Sequence, residues 1–364
     1  MLSQRALNRA TLERQLLLRR SAMSVYDAVE HLCGLQAQTA TSWYVGLWTR
    51  LEGFAPEPVV ELLRARKLVR IALMRSTIHL VSDRDCLAMR RPVHAVIVRS
   101  MQSNWGKNLP GLDFDEVTAA GRRLLEERPL TFSELGRRLR ERWPERDAAS
   151  LAHVLRAHAA LVQVPPRGLW GQSGLPTLTT AEHWLGRPLA PDDAPDGLMV
   201  RYLAAFGPAS VGDARTWSGL TGLREVFERL RPGLRTFADE QGRELFDLPD
   251  APRPDPDTPA PARFLYDYDN LVLSHDDRGR FLDADHRGLL WPGDNRVLGA
   301  VLVDGAVRGS WRLRRERDSA ALIVRSLARL ATKDSDALTA EGLRLLELIG
   351  AGASRHDVQF TVAG

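Results

Sequence analysis

Leu68-Val69-Arg70-Ile71-Ala72-Leu73-Met74-Arg75-Ser76-Thr77-Ile78-His79-Leu80-Val81 reads as two short β-strands, 68–73 and 77–81, joined near Arg75-Ser76. β-branched and other apolar residues predominate in both runs, and the chain upstream has a different period. Residues 6–20 and 24–35 have helical apolar spacing, with Ser24 placed as an N-cap and Asp27 three residues on. Further helices are expected over 41–52 and from Pro56 to Arg64. Helices followed by a small hairpin are the layout of a winged helix-turn-helix.

The layout recurs twice. Helices are expected at 115–127 and 131–142, the latter opened by the capping box Thr131-Phe132-Ser133-Glu134. A third, 148–161, carries Arg156 and His158 and stands in the place of a recognition helix. Val162-Gln163-Val164, a Pro165-Pro166-Arg167-Gly168 turn and Leu169-Trp170 would make the wing. The third copy, 197–249, has helices at 198–206 and 220–230 and a capping box at Ser210-Val211-Gly212-Asp213. Strands are expected near 234–238 and 243–248, around Asp239-Glu240-Gln241-Gly242. Prolines 252, 254, 256, 259 and 261 mark a linker. Beyond it a β-rich region is expected, with a strand-like run at 264–274, a hairpin about Asp304-Gly305 and a closing helix at 336–349 capped by Ser335. The expected class is α+β: winged-helix units at 1–110, 111–190 and 191–250, a linker at 251–262 and a β-rich domain at 263–364.

Composition bounds the function. The 364 residues suffice for several cores. Cys33 and Cys86 lie in apolar segments without metal-type spacing, which argues against a disulfide framework or a zinc site and suits a reducing cytoplasm. No apolar run has signal-peptide or membrane-spanning character, so a soluble cytoplasmic protein without membrane partners is expected. Net charge is only +4, yet nearly all the positive charge is arginine; the lysines are Lys67, Lys107 and Lys333. Arginine binds phosphate bidentately and stacks on bases, which favours a nucleic-acid partner, although high-GC coding produces the same bias. Arginines crowd the N-terminus (Arg5, Arg9, Arg14, Arg19, Arg20) and the segment 122–146, whereas acidic residues collect around 247–285, so a basic and an acidic side are expected.

Phosphate-loop, dinucleotide, zincin and nucleophile-elbow signatures are all missing. Asp267, Asp269, His275 and Asp277 have the residue types of a hard-metal site, but Asp276-Asp277-Arg278-Gly279 reads more simply as a solvated turn, and no metal or cofactor is expected. Gln36 and Gln38 pose a geometric question. Residues two apart diverge by about 200° on a helix and share a face in extended chain. Both amides can serve one site only if the helix ends near Leu35, which Gly34 permits.

Leu35-Gln36-Ala37-Gln38-Thr39 resembles the Gln-apolar-Gln motif of the AlkZ-type winged-helix DNA glycosylases, whose namesake confers self-resistance to the DNA-crosslinking antibiotic azinomycin. Leu73 through Leu80 is similar to that family's Met-Arg-Gly-Thr-Leu-His-Leu stretch, with Ser76 at the usual glycine. Tyr268-Asp269-Asn270 through Ser274-His275-x-Asp277-Arg278, and Val303-Asp304-Gly305 through Gly309-x-Trp311-Arg312, resemble two further family segments, in order along almost the whole chain. The resemblance implies a C-shaped assembly around double-stranded DNA containing alkylated purines. It also implies that Gln36 and Gln38 are a catalytic pair and that Ser76 alters the pocket. Candidate DNA contacts are Arg75, His79, His275, Arg278 and Arg312, and the hairpins at 164–170 and 304–305 are candidate probes.

An amide is a poor general base, so the pair suits a base that already carries positive charge, such as an N7-alkylpurine. With no lysine near the motif in sequence, a monofunctional, monomeric glycosylase without lyase activity is expected. The alternatives are a winged-helix transcriptional regulator and a metal-dependent nuclease using Asp267, Asp269, His275 and Asp277.

Overall fold

The computed structural model describes residues 1–293 and 297–363, and its architecture is mixed helix and sheet. The hairpin at 68–81 forms, and the strand expected at 162–164 joins its sheet. Strands Leu35–Gln36, Ile78–Ser82, Leu68–Ala72, Leu161–Val164, Thr177–Thr180 and Leu130–Thr131 make, in that spatial order, one antiparallel sheet. The junction is Arg70 opposite Gln163 and Ile71 opposite Val162. Every residue of Leu68–Ala72 is consequently buried, Arg70 included, because it is a central strand covered on both faces. The register aligns Gln36, His79, Ile71 and Val162 on one face and Leu35, Leu80, Arg70 and Gln163 on the other.

How the second helix stops decides where the glutamines point. Val25–His31, capped by the Ser24 hydroxyl accepting from the Asp27 N–H, ends at Leu32. Cys33 and Gly34 then take positive φ, and the Gly34 N–H returns to the Val29 carbonyl. A Cβ on Gly34 would lie 2.8 Å from Val81 Cγ1, so this reversal needs glycine both for its conformation and for the close approach of strand Ile78–Ser82. Leu35 therefore begins extended chain. The capping boxes Thr131 with Glu134 and Ser210 with Asp213 are both present.

Three expectations need correction. Leu169-Trp170 is not the returning strand of the second hairpin. Gly168, at φ +95°, turns the chain over Arg70, Tyr44 Oη donates to the Gly168 carbonyl at 3.0 Å, and pairing resumes only at Thr177–Thr180. The run at 264–274 yields only the strand Arg263–Phe264, because Tyr268 at φ 63° breaks the extended chain and the Asp269 carboxylate caps the turn Asn270–Val272. Ser335 does not cap the closing helix. Helix Thr332–Ile349 starts after Ala331, and the Ser335 hydroxyl donates back to carbonyls in its first turn.

The C-terminal sheet runs Arg355–Val362, Ser319–Ser326, Ala306–Arg315, Gly299–Val303, Arg263–Phe264, the first two strands being parallel and joined by helix Thr332–Ile349. Strands Arg235–Ala238 and Glu244–Asp247 form a separate pair. The proline-rich segment is irregular, and its Pro252 and Thr258 carbonyls accept from Arg14 and Arg9. One apolar core runs from Cys33 to Phe246, and a second joins Val25–Leu80 to the C-terminal sheet. The glutamine segment lies where these cores meet.

Candidate active site around Gln36 and Gln38

Gln36 pairs with His79 across the sheet, and the Ala37 N–H donates to the Ile78 carbonyl at 2.7 Å. Ala37 packs into the core, so its flanking amides share the opposite side of the extended chain. Gln36 is 4% exposed, whereas Gln38 is at the surface. Each side chain is fixed by a group that can only donate. Arg75 Nη2 donates to Gln36 Oε1 at 2.6 Å, and the Ile78 N–H donates to Gln38 Oε1 at 3.0 Å. These partners settle which end of each amide is oxygen. They leave each carbonyl a second lone pair and each amide its N–H donors.

Arg75 is a clamp. Besides Gln36 it donates to Asn270 Oδ1 at 3.2 Å and to the Trp217 carbonyl, thereby tying strand, third helical region and C-terminal segment together. Burial lowers its pKa to about 10, so it remains a cation at neutral pH. Arg75 and Ser76 both adopt left-handed φ, 55° and 59°. That conformation costs a residue with a Cβ about 1–2 kcal/mol, which explains why glycine suits position 76. Here Arg156 holds the serine, Nη2 donating to its carbonyl at 2.6 Å and Nη1 to its hydroxyl at 3.4 Å. Arg156 is thus spent inside the protein, contrary to the recognition-helix expectation, and helix Ala148–His158 is largely buried.

The other candidates scatter. His79 is fully enclosed, its Nδ1 on the Thr77 carbonyl and its Nε2 without a partner among the described residues. His275 is also enclosed, with Nε2 on the Phe206 carbonyl and its ring against Phe206 and Phe281. Neither imidazole reaches the surface. Arg278 is half-buried and stacks 4.7 Å from the Trp291 ring, and Arg312 is exposed on strand Ala306–Arg315. Asp304, at the tip of its hairpin, is held by Arg5 and Arg9. The four residues of the nuclease alternative do not converge. Asp269 pairs with Arg50, Asp277 with Arg243, His275 lies in the core, and Asp267 lies beside Thr39 and Ser42. Among the described residues no group of His, Cys, Asp or Glu is arranged to hold a metal.

Burial pushes the His79 pKa down from 6.5 to about 3, and His275 moves the same way. Each is neutral in the folded state, while the unfolded chain takes up protons as pH falls through 6.5. Stability therefore declines from about pH 6.5 towards pH 3. Between pH 7 and 5, His79 alone contributes a loss of about 2 kcal/mol. Urea melts at the two pH values check this, and replacement of His79 by an uncharged residue should flatten the slope.

The chain belongs to the AlkZ-like DNA glycosylase family, whose model matches residues 29–348. Among individual proteins, it is 27% identical over 337 residues to the interstrand DNA cross-link repair glycosylase of Streptomyces sahachiroi, covering 83% of this chain and 85% of that protein. The solved structure of the Streptomyces sahachiroi DNA glycosylase AlkZ matches with a TM-score of 0.72 at 24% identity, over 99% of this chain and 100% of that one. That likeness is one of fold. No helix among the described residues is long and apolar enough to cross a membrane.

Proposed function

We propose that this glycosylase hydrolyses the N-glycosidic bond of N7-alkylated purines in duplex DNA, including bulky adducts and interstrand crosslinks, as DNA repair or as self-resistance to a genotoxic antibiotic. The observation that carries the reading is the pair of amides fixed by obligate donors, Gln36 through Arg75 and Gln38 through the Ile78 N–H. Fixed amide dipoles can orient a water towards C1′ and lie beside the positive charge that grows on the sugar as the bond lengthens. Neither amide can take the water's proton at the start of the reaction. The base must leave without help, which N7-alkylation provides, since the bonding electron pair neutralises its existing charge.

Three winged-helix units and the C-terminal domain would hold DNA in a concave channel, with Arg278 and Arg312 as the accessible candidates for backbone contact. Among the described residues no lysine hydrogen-bonds either glutamine. Lys67 pairs with Asp83, Lys107 lies in the turn Gly106–Asn108, and Lys333 opens the last helix. Burial raises both cysteine thiols well above their ordinary range, so neither is a nucleophile. Purified monomer incubated with duplexes carrying defined N7-guanine adducts should release free base and leave an abasic site. Tight binding to intact duplex with no release from any adduct would favour a regulator, and a borohydride-trapped covalent complex would overturn the monofunctional reading.

A further inference from the structure

The residue after Gln38, Thr39, lines a cavity whose walls include neither glutamine. It encloses about 280 Å³ and is lined by Thr39, Ser42, Asp267, Tyr268, Leu298 and Trp311 among others. Among the described residues of this lining the only carboxylate is that of Asp267, which lies beside the Thr39 and Ser42 hydroxyls. Among the described residues Asp267 forms no ion pair, in contrast to Asp247, Asp269 and Asp277 close by in sequence, each of which has an arginine. Tyr268 holds a left-handed φ of 63°, an unusual conformation for a bulky residue and one that gathers at functional sites. The cavity thus combines an anionic oxygen with the aromatic rings of Tyr268 and Trp311, the combination that favours a planar organic cation over its neutral counterpart.

We propose that this cavity is the recognition site for the positively charged base, with Asp267 selecting N7-alkylpurinium over unmodified purine. The inference rests on the glycosylase reading and adds to it a residue that discriminates by charge. Asp267 acts on binding and not on the bond-breaking step. As the C1′–N9 bond breaks, its electron pair flows into the base, whose charge disappears while charge appears on the sugar. A carboxylate beside the base therefore stabilises the bound substrate at least as well as the transition state, and its removal should appear in KM. Burial raises the Asp267 pKa, the direction expected for a carboxyl kept from water until a cation arrives.

Calorimetric titration of the whole protein with two nucleosides, cationic 7-methylguanosine and neutral guanosine, reads the site without catalysis. Wild type should bind 7-methylguanosine about tenfold more tightly, and Asp267→Asn should abolish the preference; equal affinity of wild type for the two overturns the proposal. Leu298→Trp, which fills the cavity and keeps the carboxylate, should weaken 7-methylguanosine; unchanged affinity would sink the assignment of the cavity. On N7-methylguanine duplexes, Asp267→Asn should raise KM about tenfold with kcat within twofold, whereas a fall in kcat alone would place the carboxylate at the sugar and reject it as a base selector. If wild type releases no base at all, the glycosylase reading fails, and the nucleoside titration still decides the pocket.

Discussion

Gln38→Ala should slow release of an N7-alkylpurine by about 10²–10³-fold while leaving duplex affinity and thermal stability close to wild type. The magnitude is that of removing one preorganised dipole from the charge that develops in a transition state. The exposure of Gln38 makes this the cleaner of the two amide variants, because the fold loses a single bond to the Ile78 N–H at the end of a strand. Gln36→Ala should cost a similar factor in rate and destabilise the protein as well. Its loss leaves a buried guanidinium short of one acceptor, at about 1–3 kcal/mol, although Asn270 and the Trp217 carbonyl still hold Arg75. Single-turnover base release at saturating enzyme separates the two effects from binding. Loss of activity in Gln36→Ala alone, with Gln38→Ala fully active, would reject a paired role and leave Gln38 as an ordinary surface residue.

Local chemistry was readable where it is local. The capping boxes, the hairpin at 68–81 and the glycine that releases Gln36 and Gln38 from the helix are each determined within a few residues, by cap geometry, alternation and positive φ. Long-range choices left no such mark. Nothing in Leu68–Ala72 or Leu161–Val164 announces that the two strands pair, because an edge-to-edge join between segments some ninety residues apart depends on register alone. The arginines were the least transparent. Their number suggested a phosphate-binding face, but Arg9, Arg14, Arg50, Arg70, Arg263 and Arg280 are buried. Most of the N-terminal cluster meets distant carboxylates: Arg5 and Arg9 hold Asp304 near the surface, while Arg14 pairs with buried Asp247 and Arg20 with buried Glu341. The middle cluster differs: Arg123, Arg137, Arg138, Arg140 and Arg142 are exposed. Planar, always-charged guanidinium is well suited to join distant carbonyls and carboxylates, and a motif search sees only its charge.

The most consequential of these joints is Arg50 with Asp269, and Arg50→Met should destabilise the protein by about 3–5 kcal/mol, the usual cost of leaving one member of a buried pair alone. Both side chains are at most 2% exposed, and the contact is bidentate, at 2.8 and 2.9 Å. Arg50 follows helix Trp43–Trp48, downstream of the glutamines, while Asp269 precedes Asn270, which holds Arg75. The pair therefore fixes the C-terminal segment against the strand that carries Gln36. Arg50→Met combined with Asp269→Leu removes both charges and should recover only a fraction of the loss, since the Gln15 and Gly46 carbonyls that Arg50 serves remain buried and lose a donor. Denaturant titration of the two variants tests this, and a single-variant loss under about 1 kcal/mol would contradict it. The double variant also separates two roles of the joint. Where stability partly returns and base release does not, the geometry of Asn270 and Arg75 around Gln36 depends on the ion pair itself, because apolar packing can restore cohesion without restoring the direction of a hydrogen bond.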